Sequence, residues 1–249
     1  MRRFIHVIIL LLLSVCAFSK VMAEESFKLT TGFYRMTGGD QPAGRGMDIN
    51  LRHTSAYGNV WVGWYRQPDP DASIDITQGR AGWDNTYTLG AWRLQPSIQA
   101  ASAGFWGGSF GVETGEKWYA GAGIGRTNLR PYVNLNFDPN DSLMASVGYR
   151  WSAHQSFGLL WVRDNRENPD QRHLHLIYRT GLSEHERLTL DLLSKAGSVT
   201  QDSGDVEKIN KLGLSVTYDW HQKFIRLACD PNPNFTTQTM WRLAVGTRF

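Results

Sequence analysis

Six arginines and two histidines in this chain stand where strand alternation would aim them into one shared space. Arg52 follows Leu51, Arg150 lies between Tyr149 and Trp151, Arg179 follows Tyr178, Arg187 precedes Leu188, Arg242 lies between Trp241 and Leu243, and Arg130 opens the stretch Arg130-Pro-Tyr-Val. In extended backbone successive side chains point to opposite faces, so each of these guanidiniums belongs to the face turned away from an apolar stripe. Arginines converging on a water-filled space lower the barrier for anions. His173 and His175, two residues apart, share that face and place two imidazoles side by side. No carboxylate or cysteine at adjacent spacing completes a ligand set around them, so polar filling is expected there and no metal. The competing outcome is that inward arginines pair with carboxylates across strands and close the space.

Other chemistry is sparse. The two cysteines are Cys16 and Cys229, and neither joins a Cys/His cluster with metal spacing. His154-Gln155-Ser156 resembles a fragment of the outer-membrane phospholipase A motif, but the serine-rich context that motif requires is absent after Gly158, and a polar turn is the simpler reading. Asp138-Pro-Asn-Asp141 and Asp230-Pro-Asn-Pro-Asn234 carry turn chemistry without a twelve-residue calcium loop. No cofactor is expected, and the residues lean away from an enzyme.

The elements that must position these side chains are strands. Apolar and polar residues alternate at Met47-Ile49-Leu51, Val133-Leu135-Phe137, Ala145-Val147-Tyr149-Trp151, Leu174-Leu176-Tyr178, Leu188-Leu190-Leu192 and Leu212-Leu214-Val216-Tyr218-Trp220. The intervening face is too charged for a packed core, which separates this chain from a soluble sandwich. Mean hydropathy is only −0.36, but a membrane barrel needs just one apolar face per strand. Ten tryptophans, among them Trp61, Trp64, Trp118, Trp151, Trp161, Trp220 and Trp241, suit an interfacial girdle. The expected fold is therefore all-β: an antiparallel transmembrane up-and-down β-barrel of 12 to 14 strands. Expected strands are 27–36, 46–55, 59–67, 83–94, 97–114 as one glycine-bent strand, 117–125, 129–138, 143–152, 155–164, 171–181, 186–195, 209–220, 222–229 and 239–249. Long outer connections are expected at 37–45, 68–82, 164–170, 196–208 and 229–237.

The two ends of the chain place that barrel. Arg2 and Arg3, the apolar run Phe4 to Phe18 and Val21-Met22-Ala23 read as a signal peptide over 1–23, cleaved after Ala23, leaving the barrel as 24–249. Removing Arg2, Arg3 and Lys20 lowers Lys+Arg from 26 to 23, equal to the 23 Asp+Glu, so the net charge falls from +3 to zero and gives no case for nucleic acid. Trp241, Leu243, Val245 and Phe249 form one apolar face ending in an aromatic carboxyl terminus. That ending resembles the signal by which bacterial outer-membrane β-barrel proteins present their last strand to the barrel assembly machinery. The resemblance implies a place in the bacterial outer membrane, contact with outer-membrane lipid and lipopolysaccharide, and a monomer.

Arg130-Pro-Tyr-Val-Asn-Leu-Asn-Phe-Asp138, followed by Asp141, Leu143 and Tyr149-Arg150, also resembles a stretch of about 20 residues in the small monomeric porins for acidic oligosaccharides, the oligogalacturonate-specific type. That likeness implies twelve strands and an arginine-lined channel, with Arg130 and Arg150 meeting an acidic sugar. Taken together, the expectation is a passive channel for small polar or anionic solutes, with Arg52, Arg130, Arg150, His173, His175, Arg179, Arg187 and Arg242 lining the lumen. The alternatives are a lipid- or lipopolysaccharide-modifying hydrolase, and a structural barrel with a plugged lumen.

Overall fold

The computed structural model describes residues 26–39, 43–68, 75–128, 132–133, 142–164, 170–200 and 203–249. The expected signal peptide, 1–23, and Arg130 lie outside the described residues. Among those described, fourteen antiparallel strands close into one barrel. They are β1 (Ser26–Thr37), β2 (Gly44–Ser55), β3 (Gly58–Gln67), β4 (Ile76–Asp84, resumed at Tyr87–Leu89), β5 (Trp92–Ala101), β6 (Phe105–Thr114), β7 (Trp118–Thr127), β8 (Ser142–Ser152), β9 (Gln155–Asp164), β10 (Arg172–Gly181), β11 (Glu186–Thr200), β12 (Val206–Trp220), β13 (Lys223–Pro231) and β14 (Thr239–Arg248). Each strand pairs with its neighbours in sequence, and β1 pairs with β14 to close the ring. At that seam Phe27 and Phe249 exchange backbone hydrogen bonds of 2.7 and 2.9 Å, and their rings stack at 5.7 Å.

The wall is inside-out relative to a soluble protein. Phe33, Val62 and Leu212 are 51%, 52% and 69% exposed on the outer surface, whereas Asp48 and Lys195 are 3% and 1% exposed within. Hydrocarbon is the solvent that such an outer surface fits, because it accepts apolar side chains and the strands of a closed ring hydrogen-bond to neighbours on both sides. The strand ends at the rim carrying Phe27 and Phe249 are joined by short connections at 56–57, 90–91, 115–117, 153–154, 182–185 and 221–222. The longer connections, including 38–43, 68–75, 128–141 and 232–238, join strand ends at the opposite rim.

Several expected boundaries change. The expected strand 83–94 crosses a reversal at Gly90, whose φ is +58°, and is divided between β4 and β5. The expected single strand 97–114 is two, because Ala103 (φ 65°) and Gly104 (φ +80°) turn the chain tightly between β5 and β6. Of the expected strand 129–138 only Tyr132 and Val133 are among the described residues, and these two belong to no strand; β7 pairs directly with β8. Residues 76–82, expected as loop, begin β4, and most of the expected loop 196–208 extends β11 and β12. The total is fourteen, not the twelve implied by the oligosaccharide-porin resemblance.

Inward aromatic rings explain many of the wall glycines. A Cβ at Gly82 would overlap the Trp61 ring, one at Gly246 the Phe224 ring, and one at Gly148 the Tyr119 ring, with Tyr119 also covering Gly158. The rings lie flat across glycines of neighbouring strands, which recovers apolar contact for backbone that would otherwise face water. Trp61 is thus a lumen residue rather than part of the outer girdle.

Candidate functional site: the barrel lumen

A cavity of about 680 Å³ occupies the barrel interior. Its cationic lining comprises Lys28, Arg52, Arg80, Arg226 and Arg242, with His175, and its anionic lining comprises Asp48, Asp84, Asp191 and Asp230. Strand parity places them there: Lys28 on β1 is directly opposite Arg52 on β2 and Arg248 on β14, so all three share the inner face.

The middle of the lumen holds a buried network. Tyr34 donates its hydroxyl to Asp48 at 2.8 Å, Arg80 donates to the other Asp48 oxygen at 3.3 Å, and the Arg242 guanidinium stands 4.0 Å from that oxygen and 5.2 Å from the Tyr34 ring centre. One carboxylate thus faces two guanidiniums. On the far wall Lys195 donates to Asp230 at 2.8 Å and to the Asn232 carbonyl at 2.9 Å, while His175 Nδ1 lies 3.0 Å from Asp191. His173 is buried beside His175, with ring centres 6.2 Å apart. Among the described residues no group of His, Cys, Asp or Glu is arranged to hold a metal.

Toward the rim that carries the termini the pairing becomes lopsided. Glu113 accepts from both Arg93 and Arg150, and Arg150 also stacks 3.8 Å over the Tyr119 ring. Asp219 accepts from Arg248 at 2.6 Å and from Arg187 at 3.4 Å. Arg52 clamps Asp84 through both oxygens at 2.5 and 2.6 Å. Lys28 lies 4.4 Å over the Phe224 ring. In the two clusters at this end, four arginines therefore share two carboxylates: Arg93 and Arg150 on Glu113, and Arg187 and Arg248 on Asp219.

At the opposite end the lumen narrows. Tyr132 stacks on Phe105 at 4.1 Å and reaches Gln99, while the Val133 amide donates to Gln78 and its side chain packs on the cluster of Tyr34, Met36, Tyr65 and Met240. Asn232 and Gln238, which flank the β13–β14 connection, are also buried and joined by a backbone hydrogen bond of 2.7 Å.

Of the residues singled out from sequence, Arg52, His175 and Arg242 line the cavity, His173 is buried next to it, and Arg150 and Arg187 belong to the two-arginine clusters. Arg179 shares the inner face of β10 but is exposed. Trp241, Leu243, Val245 and Phe249 are on the outer surface. His154 sits in a tight turn at the terminal rim, its amide donating to Ser152 Oγ. Sequence reasoning missed Arg80, Lys195 and Asp230. Arg80 was hidden in an expected loop, and the other two lie where a strand was cut short.

No family model and no curated protein matches the sequence. Among solved structures, the Acinetobacter baumannii outer membrane protein Omp33 superposes with a TM-score of 0.52 and 7% identity, over 90% of this chain and 98% of that one. The fold is that of an outer-membrane β-barrel. Mutants of the Rhodopseudomonas blastica porin also align, with TM-scores of 0.43 and 0.42, 10% identity, and coverage of 90% of this chain and 100% of theirs.

Proposed function

We propose that this chain is a bacterial outer-membrane channel that passes small polar solutes by diffusion, with a preference for anions. The observation that carries the reading is the charged cavity of about 680 Å³ inside a closed fourteen-strand wall. A barrel of this size encloses more space than its inward side chains must fill, and a charged lining keeps that space wet. The anion preference rests on the two clusters at the terminal end in which four arginines share two carboxylates. Each two-arginine cluster retains a net positive charge after its carboxylate is satisfied. In the same reading the outward face of β14, ending at Phe249, is the strand offered to the barrel assembly machinery, and the protein works as a monomer.

The test is a planar-bilayer recording of the refolded protein across a tenfold potassium chloride gradient. Discrete conductance steps with a chloride-favouring reversal potential are expected. A barrel that is folded and inserted without steps overturns the channel; steps with a cation-favouring potential overturn the anion preference alone.

A further inference from the structure

On the outer surface, six strands end their apolar run at the loop rim in an arginine. β1 presents Phe27, Leu29, Thr31 and Phe33 outward and then Arg35; β3 presents Val60, Val62 and Trp64 and then Arg66; β9 presents Phe157, Leu159 and Trp161 and then Arg163. Arg45, Arg126 and Arg172 occupy the same place on β2, β7 and β10. The opposite ends of these outer runs carry other residues: Phe27, His53, Val60, Trp118, Phe157 and Tyr178. The guanidiniums are therefore confined to one rim. From Phe27 to Arg35 is eight residues, which at strand rise and ordinary barrel tilt places Arg35 about 20 Å up the wall, at the edge of an apolar band about 25 Å tall.

Two features indicate that this rim meets anions. Arg35 stands directly across from Arg45, and Arg163 directly across from Arg172. Like charges on directly opposed strand positions repel, unless an anion lies between them. Arg35 and Arg45 make no ion pair among the described residues, so the repulsion is not relieved from within the wall. Tryptophan marks the height: Trp241 is directly opposite Arg35, Trp64 is two positions below Arg66, and Trp161 is two positions below Arg163. Tryptophan settles at headgroup level, so the arginine pairs face lipid headgroups rather than free solution. Planar guanidinium donors suit phosphate oxygens.

We infer that the Arg35–Arg45 pair is a binding site for the phosphate group of a lipid in the leaflet facing the loops. The phosphate sits between the two guanidiniums while the lipid's acyl chains lie along the apolar run below. The site is on the outside of the wall and does not depend on what passes through it.

The test uses the refolded protein in uncharged detergent, with bound lipid counted by native mass spectrometry. The probes are bis-phosphorylated lipid A and the same lipid A with both phosphates removed. Retention of the phosphorylated form at least tenfold better than the dephosphorylated form is expected. The double variant Arg35→Gln/Arg45→Gln should lose part of that retention, and Lys223→Gln at the other rim should lose none. Heat-shifted gel mobility reports whether each variant is folded. Equal retention of the two probes by the unaltered protein overturns the inference, as does undiminished phosphate-dependent retention by the folded double variant.

Discussion

Replacing Asp48 by Ala should destabilise the barrel more than any loss of an exposed ion pair. The carboxylate is 3% exposed and satisfies Tyr34 at 2.8 Å and Arg80 at 3.3 Å, with Arg242 at 4.0 Å. The side chains of Arg80 and Arg242 are only 6% and 10% exposed. Removing the carboxylate leaves two buried guanidiniums facing one another, and stripping one partner from a buried ion pair typically costs about 3–5 kcal/mol. Against a urea dependence of about 2–3 kcal/mol per molar, that is a fall in unfolding midpoint of about 1–2.5 M. The comparison variant is Asp75→Ala, whose partner Arg66 is 2.7 Å away but whose two side chains are 49% and 44% exposed. Such surface pairs are worth about 0–1 kcal/mol, and no resolvable shift is expected. Tryptophan fluorescence of vesicle-embedded protein during urea titration reads both. Equal midpoints for Asp48→Ala and the unaltered protein would refute the claim that the central network holds the wall together, and with it the assignment of Arg80 as a paired rather than a solute-facing cation.

Four further outcomes follow from the same geometry. Lys195→Met should destabilise by about 3–5 kcal/mol because Asp230, 4% exposed, loses its cation, while adding Asp230→Leu should restore most of the loss by removing both charges; equal midpoints for the single and double variants would contradict this. Gly82→Ala should destabilise by about 1–3 kcal/mol, since its Cβ would overlap the Trp61 ring, and Trp61→Ala should offset the overlap in the double variant as read by urea titration. Tyr132→Ala should raise single-channel conductance by withdrawing the ring that lies on Phe105 inside the loop end, and unchanged conductance would show that the narrowing is elsewhere. Deleting Phe249 removes the ring stacked on Phe27 and two seam hydrogen bonds; it should reduce outer-membrane assembly measured by cell fractionation, and normal insertion would count against the terminal strand as a signal.

How legible each element was depended on what its outer face carries. β12 was readable because Leu212, Leu214, Val216, Tyr218 and Trp220 give an unbroken apolar face. The first half of β4 was not, because its outward positions include Thr77, Gly79 and Ala81, which leave no apolar stripe to alternate. The upper ends of β11 and β12 reverse the pattern: beyond the membrane band Val199 and Ile209 turn inward and pack together, 0% and 4% exposed, while Ser198 and Lys208 occupy the opposite face. Alternation was present there, but with opposite polarity, so the strands looked finished at 195 and 209. Parity gave the inner face from sequence, yet the partner of each charge was out of reach. Asp48 and Arg80 are 32 residues apart in the chain, and only a register between strands brings them to 3.3 Å.

That register also divides the arginines, which look like one population in the sequence. Arg80 and Arg242 face inward at mid-height around one buried carboxylate, and with side chains only 6% and 10% exposed they offer little charge to a passing solute. Arg93, Arg150, Arg187 and Arg248 face inward near the terminal rim two to a carboxylate, so half of their charge remains uncancelled in a wet space. The rim arginines face outward and add nothing to the lumen. Ion selectivity should therefore follow the terminal-end clusters rather than the total arginine count. Arg187→Gln with Arg150→Gln should move the reversal potential toward potassium while leaving the urea midpoint nearly unchanged, because Glu113 and Asp219 each keep one arginine. Arg35→Gln with Arg45→Gln should leave the potential where it was. If the rim variants shift selectivity as much as the cluster variants do, the lumen field does not arise from the unpaired halves of these clusters.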